Sequence, residues 1–367
     1  MASAFDSRAN NFDFLRLSLA LCVVYTHSFH AVVNGTAMEP FKDFTHGQAG
    51  LASIAVDGFF IISGFLVTQS FLRSASIGSY FWKRVARVYP GFVVCMLLSA
   101  VLVAPVAGAA SVYSSFVLRV LSFLFQTLQL REFKYVHAFA GNPVHIINLA
   151  VWTIPIEFGC YLCLAVLGVL RILKRRALVL AIFAGVLVLI VASPWISGHH
   201  PGGFSPGGHS LRDGWLRFSS MYLAGMVFYL YRERIRFPLW GAITAFCVLA
   251  IACVTPNAWL ACFPIAGAYL IFWFAFHPRI RLQDFARYGD FSYGTYLYAY
   301  PIQQLIVLWL GPRTNPFVLF LIAVPLSLLA AFFSWNAVEK WFLPSRKPRH
   351  APVHARCDVP AIGSVVD

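Results

Sequence analysis

The chain has 367 residues, 59% of them hydrophobic and 11% charged, with a mean hydropathy of +0.72 and a formal net charge of +14. This composition excludes an ordinary soluble domain, and no polar module is long enough to turn the basic excess into a polynucleotide surface. It predicts an all-α, polytopic integral membrane protein.

The first apolar run, 14–33, follows thirteen polar residues and meets no small-residue cleavage site, so it reads as a retained span rather than a signal peptide. It carries Arg16 and His27. Eleven residues at 100° each return to within about 20° of the starting direction and climb roughly 16 Å, so the cation and the imidazole share one helix face. Ionisable groups in a bilayer are costly and by default mark a site that faces a cavity. The structural alternative is a snorkelling arginine with a histidine bonded to a neighbouring helix. Span 51–72 holds Asp57 near its outer end, which reads equally as a partner for His27 or as a helix-start carboxylate favoured by the dipole. In the same span, Ser63-Gly64 either permits close helix approach or offers an amide to a thioester oxygen. Next come Lys83, Arg84 and Arg87. The two arginines lie one turn apart, so both planar forks can face one organic phosphate; a positive-inside anchor ahead of span 89–108 explains them as well.

Segment 111–130 is apolar but carries Arg119 at its centre. The basic clusters at 73–87, 171–176, 232–236 and 279–287 fall on one side of a bilayer only if 111–130 does not cross it. That segment is therefore expected to be interfacial or re-entrant, with both termini cytoplasmic. Further spans at 149–170, 177–195, 214–231, 238–255, 258–276, 290–310 and 317–342 bring the expected number to ten. Glu157, eight residues into a span entering from outside, should lie roughly 12 Å deep, and His27 roughly 9 Å deep. The carboxylate is thus expected beside the imidazole, orienting it as a general base. Trp152 and Tyr161 flank Glu157, as lining for a sugar or as packing aromatics.

His199, His200 and His209 fall in a loop, 193–213, rich in Gly and Pro, which reads as flexible and solvated. Cys160 and Cys163 have metal-like spacing but no second pair in an apolar setting, so no metal site is expected. The organisation read from these runs is one membrane domain, 1–345, followed by a basic cytoplasmic tail, 346–367.

Taken in order, Arg16 with His27, Phe59-Phe60-Ile61-Ile62-Ser63-Gly64, Arg84-Val85-Ala86-Arg87, Trp152-Thr153-Ile154-Pro155-Ile156-Glu157 and Ser292-Tyr293-Gly294-Thr295-Tyr296-Leu297 resemble the successive motifs of the membrane-bound acyltransferase 3 family, across residues 10 to 345. The resemblance implies an enzyme of the bacterial inner membrane, in a stand-alone form without the extracytoplasmic domain fused to some relatives. It would take an acyl group, most often acetyl, from cytoplasmic acyl-CoA, a donor substrate rather than a bound cofactor. It would deliver that group to a hydroxyl of a carbohydrate such as an exopolysaccharide, a lipopolysaccharide O-antigen or a lipo-oligosaccharide. It implies roles in donor binding or catalysis for Arg16, His27, Arg84, Arg87 and Glu157, with His27 either a base or a transient acyl acceptor. One departure stands out: the family's Leu-x-His-x-Pro reads Leu297-Tyr298-Ala299-Tyr300-Pro301 here, so a second imidazole is absent. On the residues alone the rival class is a transporter of a sugar or anionic solute, with Arg16, His27 and Glu157 forming its path.

Overall fold

The computed structural model describes residues 10–33, 39–197, 211–282 and 285–343; His199, His200, His209 and the basic tail lie outside them. The helices are α1 Phe12–Val33, α2 Leu51–Leu72, α3 Ile77–Val106, α4 Phe116–Leu128, α5 Leu149–Val169, α6 Arg176–Ser197, α7 Leu211–Leu230, α8 Leu239–Val254, α9 Trp259–Phe276, α10 Ser292–Leu310 and α11 Pro316–Phe342. A single-turn helix, Pro40–Phe44, two 3-10 turns, Ile172–Lys174 and Phe285–Tyr288, and one two-residue antiparallel pair, Ala110–Ser111 with Tyr135–Val136, complete the described architecture. Among the described residues, α1, α2, α3, α5, α6, α9 and α11 are long and apolar enough to cross a membrane. The other three expected spans coincide with α7, α8 and α10. Of these, α8 has only 16 residues, and α10 carries Thr295, Gln303 and Gln304 in its interior.

The helices turn apolar side chains such as Val101, Leu102, Val188 and Leu321 outward and keep Asp57, Gln303, Gln304 and Glu339 inside. That inversion suits a hydrocarbon solvent, where polar groups must find partners within the bundle. Fully buried Gln303, for example, donates to the Val24 carbonyl and to Ser28 Oγ, both at 2.7 Å, and ties α10 to α1. Helix α2 packs between α1 and α7. At the α2–α7 contact a Cβ on Gly64 would sit 2.0 Å from the Tyr222 carbonyl oxygen, and one on Gly225 2.0 Å from that of Ile61. Only glycine lets the two backbones meet so closely, so Gly64 is a packing residue.

Helix α4 has 13 residues, about 20 Å, which is too short for a hydrocarbon core of about 30 Å. It buries only Thr127, leaves Phe116, Leu121, Phe125 and Leu128 exposed, and is pinned where Tyr89 Oη donates to the Leu128 carbonyl at 2.8 Å. This agrees with a segment that does not cross.

The stretch that follows departs from expectation. Instead of running over the surface, 138–148 descends along α10: Ala138 and Phe139 pack near Leu305 and Leu308, and Gln304 Nε2 donates to the carbonyls of Val144 and Ile146 at 2.7 Å. Asn148 Nδ2 then donates to the Leu297 carbonyl at 2.9 Å, thirteen residues and about 20 Å short of the Leu310 end of α10. Asn148 also caps the Leu149–Thr153 3-10 turn by accepting from the Ala150 amide at 3.1 Å, so α5 starts deep inside the bundle.

Glu132 holds this segment from its near end, its Oε1 accepting the Asn148 amide at 2.7 Å. Burial pushes its carboxyl from the usual 4.5 up to about 8, against the pull of that amide. Because the folded value is raised, ionisation favours the unfolded chain. The penalty is absent below pH 4.5 and grows as pH rises towards 8. Glu132→Gln keeps an acceptor for the amide and should flatten this dependence, matching the parent's melting temperature at pH 4.5 and exceeding it at pH 8 in thermal unfolding of the detergent-solubilised protein.

Candidate active site

A cavity of about 450 Å³ opens between α1, α2, α3, α5 and α10. Arg16, Lys83, Arg84 and Arg87 line it together with Asp13, Glu157 and Asp290. Among these lining residues, four cations stand against three carboxylates. Asp290 organises the charges: its Oδ2 accepts from Arg16 Nη1 at 2.9 Å and from Arg87 Nη2 at 2.6 Å. Its Oδ1 accepts from the Ser292 amide at 3.1 Å and from Ser292 Oγ at 2.5 Å, fastening the first turn of α10. Arg84 donates through Nη2 to Ser70 Oγ at 3.3 Å, keeps a buried Nε without a partner, and lies over the Tyr161 ring at 5.8 Å. The expectation of two open forks is thereby corrected. Arg87 is already bound to Asp290, so an anion entering here meets Arg84 directly and shares Arg16 and Arg87 with that carboxylate.

Glu157 lies in the same cavity, and its Oε1 accepts from Ser63 Oγ at 3.0 Å and from Tyr161 Oη at 2.5 Å. It does not pair with His27. The depth count assumed that span 149–170 begins at the outer surface, whereas α5 begins at Asn148, already beside Leu297. Glu157 therefore meets α2 at Ser63, while His27 sits beside Ala52 and Ser53, ten residues or about 15 Å away along that helix.

His27 occupies a second, small chamber of about 20 Å³, lined also by Val23, Val56, Trp152, Arg217, Phe218 and Tyr296. Its ring meets Tyr300 edge-on at 5.1 Å, and its Nδ1 is buried without a hydrogen-bond partner. Asp57 is no partner for it either. Both Asp57 oxygens accept from Arg217, Oδ1 from Nε at 2.9 Å and Oδ2 from Nη2 at 2.8 Å, because the guanidinium on α7 matches the carboxylate better than an imidazole can. Trp152 and Tyr161 fall in different cavities: nine residues and about two and a half turns place them on opposite faces. Val56 and Tyr296 line both spaces and form the wall between them. Tyr296 is fixed there, donating to the Ala150 carbonyl at 2.7 Å and sharing a 2.6 Å hydrogen bond with Thr153 Oγ1.

The sequence reading passed over Asp290 and Arg217. Arg217 carried the same mark as Arg16, a cation inside an apolar run. Asp290 was visible only as a lone acid ahead of the late motif. Asp290→Ala would leave two inward guanidinium groups without their shared acceptor. It should destabilise the protein by about 3–5 kcal/mol in thermal or denaturant unfolding, a loss that Arg16→Met in the same background should partly restore.

A family model described as an acyltransferase domain matches residues 10–336. An O-acetyl transferase of Shigella phage Sf6 is 28% identical over 353 residues, covering 93% of this chain and 98% of the phage protein. Nodulation protein 10 of Rhizobium leguminosarum bv. viciae is 27% identical over 388 residues, covering 95% of this chain and 96% of that protein. No solved structure matches the chain. With both cavities built from the motifs the family model spans, the chain belongs to the acyltransferase 3 family of membrane proteins.

Proposed function

We propose that this protein transfers an acetyl group from acetyl-CoA to a hydroxyl of a bacterial cell-surface or secreted carbohydrate. The carrying observation is the adjacency of a cationic cavity to a histidine chamber through the single wall of Val56 and Tyr296. Arg84, with Arg16 and Arg87 shared by Asp290, suits the phosphates of a nucleotide donor, since planar multidentate donors match phosphate oxygens. By the positive-inside rule that end faces the cytoplasm, in the inner membrane, where acyl-CoA is found. The extended pantetheine arm then rises through the wide cavity past Ser63, Glu157 and Tyr161. Glu157 Oε2 is available to the amide N–H groups of the arm, because the two hydroxyl donors described here both use Oε1. The climb of roughly 16 Å from Arg16 to His27 is the length the arm must cover.

In the chamber, His27 takes the proton of the acceptor hydroxyl as its oxygen attacks the thioester carbon. The name of the phage relative supports acetyl as the acyl group and oxygen as the acceptor atom. The acceptor would be an O-antigen, an exopolysaccharide or a lipo-oligosaccharide, reached from the far side of the membrane.

His27→Ala should abolish transfer while the protein accumulates to the parent level. Mass spectrometry of envelope and secreted glycans from isogenic cells would show an acetyl-sized mass in cells with the parent chain and none with the variant. Glycans identical in parent, variant and null cells would refute the proposal.

A further inference from the structure

The buried pair Asp57–Arg217 takes no part in donor binding as described above, yet Arg217 lines the His27 chamber with Asp57 held behind it. Asp57 is fully buried and Arg217 only 6% exposed. A buried ion pair of this kind is commonly no more stabilising than an apolar pair of equal volume, so packing between α2 and α7 does not require it. Its geometry also points inward. Arg217 Nε and Nη2 are held by the two Asp57 oxygens, and Nη2 also donates to the Ser53 carbonyl at 3.3 Å. This fixes the guanidinium plane and leaves Nη1 outside the fork. Apart from His27, the remaining walls carry no other charged group: Val23, Ala52, Val56, Ala150, Trp152 and Phe218 are apolar or aromatic, and Ser53 and Tyr296 are neutral. In such a low-dielectric space a preoriented cation acts strongly on developing negative charge.

The geometry points to Arg217 as the group that polarises the thioester carbonyl and stabilises the oxyanion, with Asp57 as its positioning residue; this rests on the acyl-transfer reading above. The acceptor oxygen bonds to the carbonyl carbon, its proton passes to His27, and the π electrons of C=O move onto the carbonyl oxygen facing Arg217. When the tetrahedral adduct collapses, the C–S bond breaks and the coenzyme thiolate recovers the proton from His27, leaving an ester and free thiol. Arg217 neither gains nor loses a proton. A tight chamber beside a fixed donor is what this step needs, since the donor must already be aimed when charge appears.

The experiment is isotope-edited infrared spectroscopy of carbonyl-¹³C acetyl-CoA bound to the purified full-length chain. In the parent, the thioester carbonyl band should shift to lower wavenumber than in free acetyl-CoA. In the neutral pair Asp57→Asn with Arg217→Gln, which leaves no unpaired buried charge, the band should return to the free position with donor affinity unchanged. Glycan acetylation in cells should fall roughly 100- to 1,000-fold at equal protein level, the usual loss for one oxyanion donor. If the neutral pair does not fold, Arg217→Lys keeps a cation opposite Asp57 and should move the band back towards the free position. An unshifted band in the parent overturns the assignment, as does parent-level acetylation by the neutral pair. Failure of the parent to bind acetyl-CoA at all overturns the donor reading itself, and the role of Arg217 with it.

Discussion

Asp290 is the carboxylate on which the wide cavity depends. Three helices bring polar groups to one buried point: Arg16 from α1, Arg87 from α3 and Ser292 from α10. In a solvent of lipid tails, helix association gains nothing from apolar burial, so hydrogen bonds and close packing must specify which helices meet. Two guanidinium groups near one another repel and are costly to bury. A carboxylate accepting from both removes that cost and leaves one positive charge over, which with Arg84 and Lys83 gives the cavity its sign. The same residue that closes the fold therefore sets what the cavity attracts.

How far the site could be read beforehand follows from what periodicity contains. The eleven-residue spacing of Arg16 and His27 fixes both on one face of one helix whatever surrounds it, and they indeed line the two cavities from α1. Arg84 and Arg87 are a second such local relation. Contacts between helices depend instead on where each helix begins in depth, and that is not written in hydropathy alone. Glu157 shows why. The run 149–170 has the length of a full crossing, but its first residues form a 3-10 turn hung from Leu297, and the missing length is supplied by 138–148, whose Val144 and Ile146 carbonyls accept from Gln304. A polar, irregular segment is tolerated at that depth only because protein surrounds it. Nothing in its composition, with Asn142, Pro143 and Asn148, announces burial.

Asp57 illustrates the complementary failure. Its burial is foreseeable from its place in an apolar run, but that run does not name its partner. Arg217 outcompetes His27 because a fork-to-carboxylate pair makes two charge-assisted hydrogen bonds in one plane. Any aspartate buried in a membrane span asks first for an arginine, and the run 214–231 contained one.

The chamber also bears on the alanine at position 299. Ala299 is buried among Val24, Ala31 and Val307, and the next residue, Tyr300, lies against His27. A mechanism with two imidazoles divides proton removal from proton return. Thioester cleavage does not demand that division, because the departing thiolate belongs to a thiol with a pKa of about 8.5 and leaves without prior protonation. One base can therefore take the hydroxyl proton and release it later to the thiolate, provided the transient negative charge on oxygen is held by something else. Between the two apolar walls of the chamber, the group with fixed positive charge is Arg217. In the proposed transfer the chemistry left to His27 is then reduced to what one nitrogen can do, and the burden moves from acid catalysis to electrostatics.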